Sequence, residues 1–194
     1  AQLAQVINDG NFLSFILSVR SVIGVGLLLL FCRLRNHITL RDYLGLHPFG
    51  WRQGLFWLLT LGLFVFLAEF LYQFMGRDAI PDFMRLAYAS ADNKVFLLIT
   101  IILLAPVFEE LLFRGFLYAG FASTPLGVSG AILLTAFLWA VIHLQYAWQE
   151  MLMIFILGLL LGIVRWQSRS ILLPIFLHAA NNLLASIQVA AAQG

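Results

Sequence analysis

Charge is what this chain has least of: only 10% of its 194 residues are Asp, Glu, Lys or Arg, while 62% are hydrophobic and the mean hydropathy is +0.97. Soluble domains carry about 25% charged residues, so this balance excludes one and makes the chain a polytopic membrane protein. Cysteine is nearly absent. The single Cys32 excludes an intrachain disulfide, supplies no zinc-finger pattern and has no evident histidine partner for nucleophilic chemistry, so it reads as a helix-end residue. Eleven basic residues against nine acidic ones give a formal charge of +2, but they form no run, and a nucleic-acid partner is not expected. Neither a cleavable signal peptide nor an initiator Met is evident in the opening AQLAQVINDG, which leaves room for a longer protein. No low-complexity tract or clear internal repeat is visible.

What the chain does have is long apolar runs. A spanning helix needs about 20 apolar residues, and six segments approach or exceed that: Phe12 to Phe31, Leu55 to Phe74, Val95 to Phe121, Val128 to Leu144, Trp148 to Trp166 and Ile171 to Val189. The expected fold is therefore all-α, a bundle of about six transmembrane helices. Residues 1–94 would form an N-terminal membrane region with two spans and interfacial loops, and 95–194 a four-helix core. The first long connection carries Arg33, Arg35, Arg41 and Arg52 against Asp42 alone, which places it in the cytoplasm by the positive-inside rule. The second mixes Arg77, Arg85 and Lys94 with Asp78, Asp82 and Asp92 and falls outside; the fifth, with Arg165 and Arg169, returns inside. Each long connection has room for a short interfacial helix.

Charges within the spans carry the functional signal, because an ionised side chain at a bilayer-centred helix position costs roughly 2.5–3.5 kcal/mol or more. The third span contains APVFEELLFRGF, residues 105–116. Glu110 and Arg114 have the i, i+4 spacing of a helical ion pair. Glu109 lies on the adjoining face beside Phe113 and Phe116, without a local counter-charge, and reads as a proton acceptor usable near neutral pH. Arg20 and Glu69 are the other ionisable residues in spans; snorkelling, or pairing with each other, accounts for both. Gly158 and Gly162 form a small-xxx-small pair suited to close helix packing and to no chemistry.

Two more polar sites interrupt apolar helices: His143 in FLWAVIHLQ, and His178 with Asn181 and Asn182 in LPIFLHAANNLLA, where His178 and Asn182 share a face. Burying each alone costs several kcal/mol, on the order of a lost hydrogen bond or more, which favours convergence. A carboxylate and an imidazole can take a proton from water, while imidazole and carboxamide N–H groups can hold an oxyanion. The same Glu109, His143 and His178 could instead be zinc ligands, with water in a fourth position.

The motifs EExxxR at Glu109 to Arg114, the histidine at His143 after an aromatic, and HxxxN at His178 to Asn182 resemble the CPBP family of intramembrane proteases. That family includes the type II CAAX prenyl proteases and the bacterial Abi proteins linked to bacteriocin processing and immunity. The likeness covers roughly Val95 to Ser186. It departs in one place: the family's second motif is FxxxH, and here Trp139 replaces the phenylalanine, in what reads as the same packing role. The resemblance implies an endopeptidase in which Glu109 and His143 activate water, His178 and Asn182 hold the oxyanion, and Glu110 with Arg114 braces the site. It implies no required metal, with zinc the open alternative. The implied partners are the lipid bilayer and a membrane-associated, prenylated or leader-bearing peptide, and the implied location is a bacterial plasma membrane. By helix rise, Glu109 falls nearer the inner face and His143 nearer the outer, so convergence requires tilt, shifted helix ends or a break near Pro106.

Four other readings compete. GxSG at Gly127 to Gly130 fits a rhomboid-like serine protease with Ser129 as nucleophile, but leaves Glu109, Glu110, Arg114 and His143 without a role. A site-two-type metalloprotease lacks its HExxH. A proton-coupled transporter would use the same ionisable residues but lacks repeated halves. An immunity or scaffold protein would retain the protease fold and work by binding.

Overall fold

The computed structural model describes residues 8–34 and 39–193. Arg35, one of the charges used for orientation, lies outside the described residues. Among the described residues the structure is helical throughout, with no strand. Helix α1 runs Gly10–Arg33, α2 Leu40–Leu44, α3 Trp51–Phe74, α4 Asp82–Ser90, α5 Lys94–Ala122, α6 Gly127–Val141, α7 Trp148–Ser168 and α8 Leu172–Gln193. Five of these, α1, α3, α5, α7 and α8, are long and apolar enough to cross a membrane. The protein is an integral, multi-pass helical membrane protein.

Local sequence explains where the helices begin and end. Asp9 caps α1 by accepting the Phe12 N–H at 2.8 Å, and Asn93 caps α5 by accepting that of Phe96 at 2.9 Å, each satisfying a donor that a helix start leaves free. Thr39 caps α2, which ends at Gly45 in the left-handed region (φ 74°) that glycine adopts without a Cβ penalty. The two long connections hold the short helices α2 and α4, as their lengths suggest. Cys32 is buried in the last turn of α1.

The fourth apolar segment departs from expectation. It forms only the 15-residue α6, roughly 22 Å by helix rise and short of a bilayer core of about 30 Å, and the chain turns at residues 142–146 before α7. His143 therefore lies in that turn.

The core gathers Trp57 and Leu61 of α3, Phe113 of α5, Trp139 of α6, Leu157, Leu161 and Val164 of α7, and Leu173 and Leu177 of α8. The outer faces of α1 and α3 stay apolar and exposed, with Phe15, Phe66 and Phe74 among them, which suits lipid contact. Gly158 and Gly162 bring α7 onto α6: a Cβ on the first would stand 3.1 Å from Ala136, and on the second 2.9 Å from Ile132.

Helix α5 is not uniform. Thr100–Leu104 and Leu111–Leu117 are π-helical turns, which widen the helix and commonly accompany function. Pro106 explains the first: it has no N–H, and its ring clashes with the carbonyl four residues back. The Ala105 N–H reaches the Thr100 carbonyl and bypasses Ile101. In the second turn the Tyr118 N–H bonds the Phe113 and Gly115 carbonyls and bypasses Arg114. Each turn thus frees one carbonyl, that of Ile101 part-buried and that of Arg114 buried.

Candidate active site

Both freed carbonyls find side-chain donors. The Asn182 Nδ2 of α8 donates to the Ile101 carbonyl at 2.9 Å, and the Arg165 Nε of α7 donates to that of Arg114 at 3.1 Å. Asn182 is oriented in this way, with its second N–H left over. Arg165 is buried, lies over the Tyr118 ring at 5.3 Å and belongs to the helix packing, so its use as a loop charge for orientation is corrected.

Glu110 and Arg114 form the ion pair their spacing predicts, Arg114 Nη1 to Glu110 Oε1 at 2.9 Å, and both side chains are wholly buried. The same Oε1 accepts from His178 Nδ1 at 2.9 Å. Arg114 Nη2 donates to the Gly158 carbonyl at 3.1 Å, so Gly158 is a hydrogen-bond partner of the site as well as a packing residue. Because Glu110 offers an acceptor, His178 carries a proton on Nδ1, and Nε2 is left to face other chemistry.

Glu109 is also buried, but it does not lack a counter-charge. Arg20 of α1 reaches its Oε1 with Nη2 at 2.6 Å, and the Trp139 indole Nε1 donates to its Oε2 at 2.8 Å. Two expectations are corrected here. Arg20 neither snorkels nor pairs with Glu69, whose carboxylate instead accepts from the Gln188 side chain of α8. Trp139 does more than fill space, since its N–H is a donor that phenylalanine does not have. Its ring also stacks under the Arg114 guanidinium at 4.5 Å and meets His143 and His178 edge-on at 5.3 and 5.1 Å between centroids.

His143 Nδ1 lies 2.7 Å from the Trp139 carbonyl. A carbonyl only accepts, so Nδ1 carries the proton, and in the neutral ring Nε2 has a free lone pair. The depth mismatch expected from ideal helix rise is removed by two features: α6 ends early, and α5 is expanded by its π turns on either side of Pro106 and Glu109. Glu109, His143, His178 and Asn182 line one cavity of about 430 Å³, with Arg20, Trp139 and Tyr146. Tyr146 follows His143 in the turn. Burial first, then the Glu109 and Glu150 carboxylates, pushes its phenol pKa up, so it stays a donor. Sequence reading missed Arg20, Trp139 and Tyr146 as members of this cluster. The signals present were an arginine inside a span and a tryptophan where the motif has phenylalanine.

The zinc alternative does not fit these positions. Among the described residues no three His, Cys, Asp or Glu side chains stand close enough to share a metal ion, and both Glu109 oxygens already have donors. Ser129 is exposed in the first turn of α6, ten residues before Trp139 and roughly 15 Å along the helix from it. It is not among the cavity residues. Nor does it cap α6, which begins after Leu126 without a side-chain cap. Ser129 is therefore not placed to act as a nucleophile in this cavity.

The fold and cavity define a multi-pass membrane protein with a buried polar site enclosed by apolar helices. Residues 91–184, just under half of the chain, match the family model of the Rce1-like type II CAAX prenyl endopeptidases, and that stretch holds all the motif residues. An Escherichia coli protein described as an uncharacterized 24.3 kDa protein is 35% identical over 135 residues, which cover 64% of this chain and 59% of that protein. The chain thus spans less than two thirds of the curated relative's length. No solved structure matches.

Proposed function

We propose that the chain is an intramembrane endopeptidase that hydrolyses a peptide bond with water activated by Glu109 and His143. The observation that carries this reading is the meeting of Glu109, His143, His178 and Asn182, from three segments of chain, on the wall of one cavity in a membrane bundle. The matched family supports the reaction class.

In this mechanism a water beside Glu109 and His143 Nε2 loses a proton to one of them as its oxygen attacks the amide carbonyl. The C–N bond then breaks, and the proton passes to the leaving amine. The second N–H of Asn182 and Nε2 of His178 hold the negative oxygen meanwhile. Because His178 Nδ1–H is committed to Glu110, only the doubly protonated ring presents a donor at Nε2. No metal takes part. The substrate would be a prenylated or leader-bearing peptide presented from the bilayer, in a bacterial plasma membrane.

The test is cleavage of a fluorogenic prenylated peptide by purified protein in proteoliposomes. Wild type should cleave it and should continue to do so after chelation, while Glu109→Gln should lose at least about 100-fold, as for removal of a general base, and remain folded. Equal activity of the two proteins removes Glu109 from the mechanism. Loss on chelation with return on added zinc would make Glu109, His143 and His178 ligands. A folded wild type that cleaves neither prenylated nor leader-bearing peptides, and binds a protein partner instead, would favour the immunity or scaffold reading.

A further inference from the structure

The carboxylate at the centre of the site is held by two residues that the motifs do not include. Glu109 Oε1 takes the Arg20 Nη2 at 2.6 Å, and Oε2 takes the Trp139 Nε1 at 2.8 Å. Arg20 belongs to α1, outside residues 91–184, and Trp139 supplies an indole N–H donor that a phenylalanine at its position would lack. Both side chains line the cavity, and Arg20 is about one third exposed.

The docking of α1 is built to place this arginine. One turn beyond Arg20, Gly24 has no Cβ, and the ring of Phe108 occupies the space that a Cβ would need. The Arg20 guanidinium lies over that same ring, 5.3 Å from its centroid. On the other side of Arg20, the Ser18 hydroxyl meets that of Thr100 at 3.0 Å, on the first π turn.

Charge gives the arrangement its purpose. Glu109 and Glu110 are adjacent, buried carboxylates. With two arginines present, Arg114 serves Glu110 and Arg20 serves Glu109. Without Arg20, both acids would share Arg114, and Glu109 would be drawn from the cavity toward it.

We infer that Arg20 and Trp139 form a two-point clamp that fixes the Glu109 carboxylate in its reacting orientation, so that α1 supplies a positioning residue for catalysis. Each Glu109 oxygen keeps one further lone-pair direction, which is where water binds. Both clamp residues act through the Glu109 carboxylate rather than on the substrate. Their removal should therefore lower kcat and leave KM nearly unchanged. The inference rests on the peptidase reading for its kinetic arm only.

The experiment compares full-length wild type, Arg20→Met, Arg20→Lys and Trp139→Phe in nanodiscs, with Arg52→Met as a surface control. The first readout needs no substrate: the five indole N–H resonances of protein labelled with ¹⁵N-tryptophan. Trp139→Phe identifies its own signal by loss. Arg20→Met and Glu109→Gln should both shift that signal, Arg20→Lys should keep it near the wild-type position, and Arg52→Met should not move it. The second readout is turnover of the fluorogenic prenylated peptide. A misplaced general base should cost about 10- to 100-fold in kcat in Arg20→Met and in Trp139→Phe, with KM within about 2-fold and most of the activity regained in Arg20→Lys.

An unchanged Trp139 signal in Arg20→Met overturns the clamp, as does an effect confined to KM, which would make Arg20 a substrate-binding residue. If Arg20→Met does not fold, Arg20→Gln, which keeps a donor without charge, takes its place with the same expected direction. If wild type cleaves no peptide, the peptidase reading falls while the resonance shift still decides the clamp.

Discussion

At the scale of single residues, Glu110 and Glu109 differ in what they hold. Glu110 has no contact with the cavity and accepts from Arg114 and His178 through one oxygen. Glu110→Gln should therefore act in two ways. It leaves the Arg114 cation buried with reduced compensation, which should cost on the order of 3–5 kcal/mol, the range for breaking a buried pair. It also removes the carboxylate that accepts the His178 Nδ1–H and so orients that ring. The expected result is a lower unfolding temperature in detergent together with lower kcat, whereas Glu109→Gln should lose kcat with a smaller fall in unfolding temperature, because its partner Arg20 is about one third exposed and Arg114 is not exposed at all. Equal melting temperatures for the two variants would show that the Glu110–Arg114 pair does not carry that stability. The i, i+4 spacing made this pair legible in the sequence, as it did the shared face of His178 and Asn182. The partner of Glu109 was not legible, because Arg20 lies 89 positions away and only helix packing brings them together. Local spacing reports which face a side chain takes, and says nothing about which distant helix meets it.

Among the elements, α5 is the one whose backbone departs from regularity, and Pro106 is a cause that the sequence displays. The proline invited the expectation of a break; what forms is a π turn that leaves the helix continuous and moves one carbonyl to a side-chain donor. Pro106→Ala restores an N–H and relieves the clash, allowing α5 to relax toward regular hydrogen bonding in which the Ile101 carbonyl is satisfied within the helix. Asn182 would then lose its anchor. The expected outcome is kcat reduced by up to about 100-fold, the lower end of the range for losing one oxyanion donor, with a melting temperature equal to or above wild type. A loss of stability with kcat retained would mean that the π turn is a packing feature alone. Helix α6 teaches the reverse lesson: its apolar run extends to Leu144, so hydropathy could not reveal that it stops at Val141 and lets His143 turn back toward the core.

For the whole molecule, composition was enough to give the class. The first and second connections were legible as loops with short helices because polar residues interrupt the apolar runs there. Orientation follows from Arg33, Arg41 and Arg52 on one side, which we assign to the cytoplasm. The cavity wall includes Pro81, Phe83 and Met84 from the opposite side, at the connection holding α4. A cysteine introduced as Asp82→Cys should react with a membrane-impermeant maleimide in intact cells, while Arg52→Cys should react only after lysis. The opposite pattern would invert the protein and place the cavity mouth toward the cytoplasm.

The position of Arg20 also bears on how the protein enters the bilayer. Helix α1 has no acidic residue, so until α5 arrives Arg20 crosses the membrane without a counter-ion from its own helix, at a cost of roughly 2.5–3.5 kcal/mol if it sits near the centre. The inner part of helix α5, residues 100–117, brings two acids and one arginine, an excess of one negative charge. Each helix is thus a poor resident of lipid alone, and their meeting neutralises both. The encounter that seats Glu109 would then also be the step that commits α1 to its place during assembly, and chains carrying Arg20→Met and Glu109→Gln together would insert more readily while having lost that pairing.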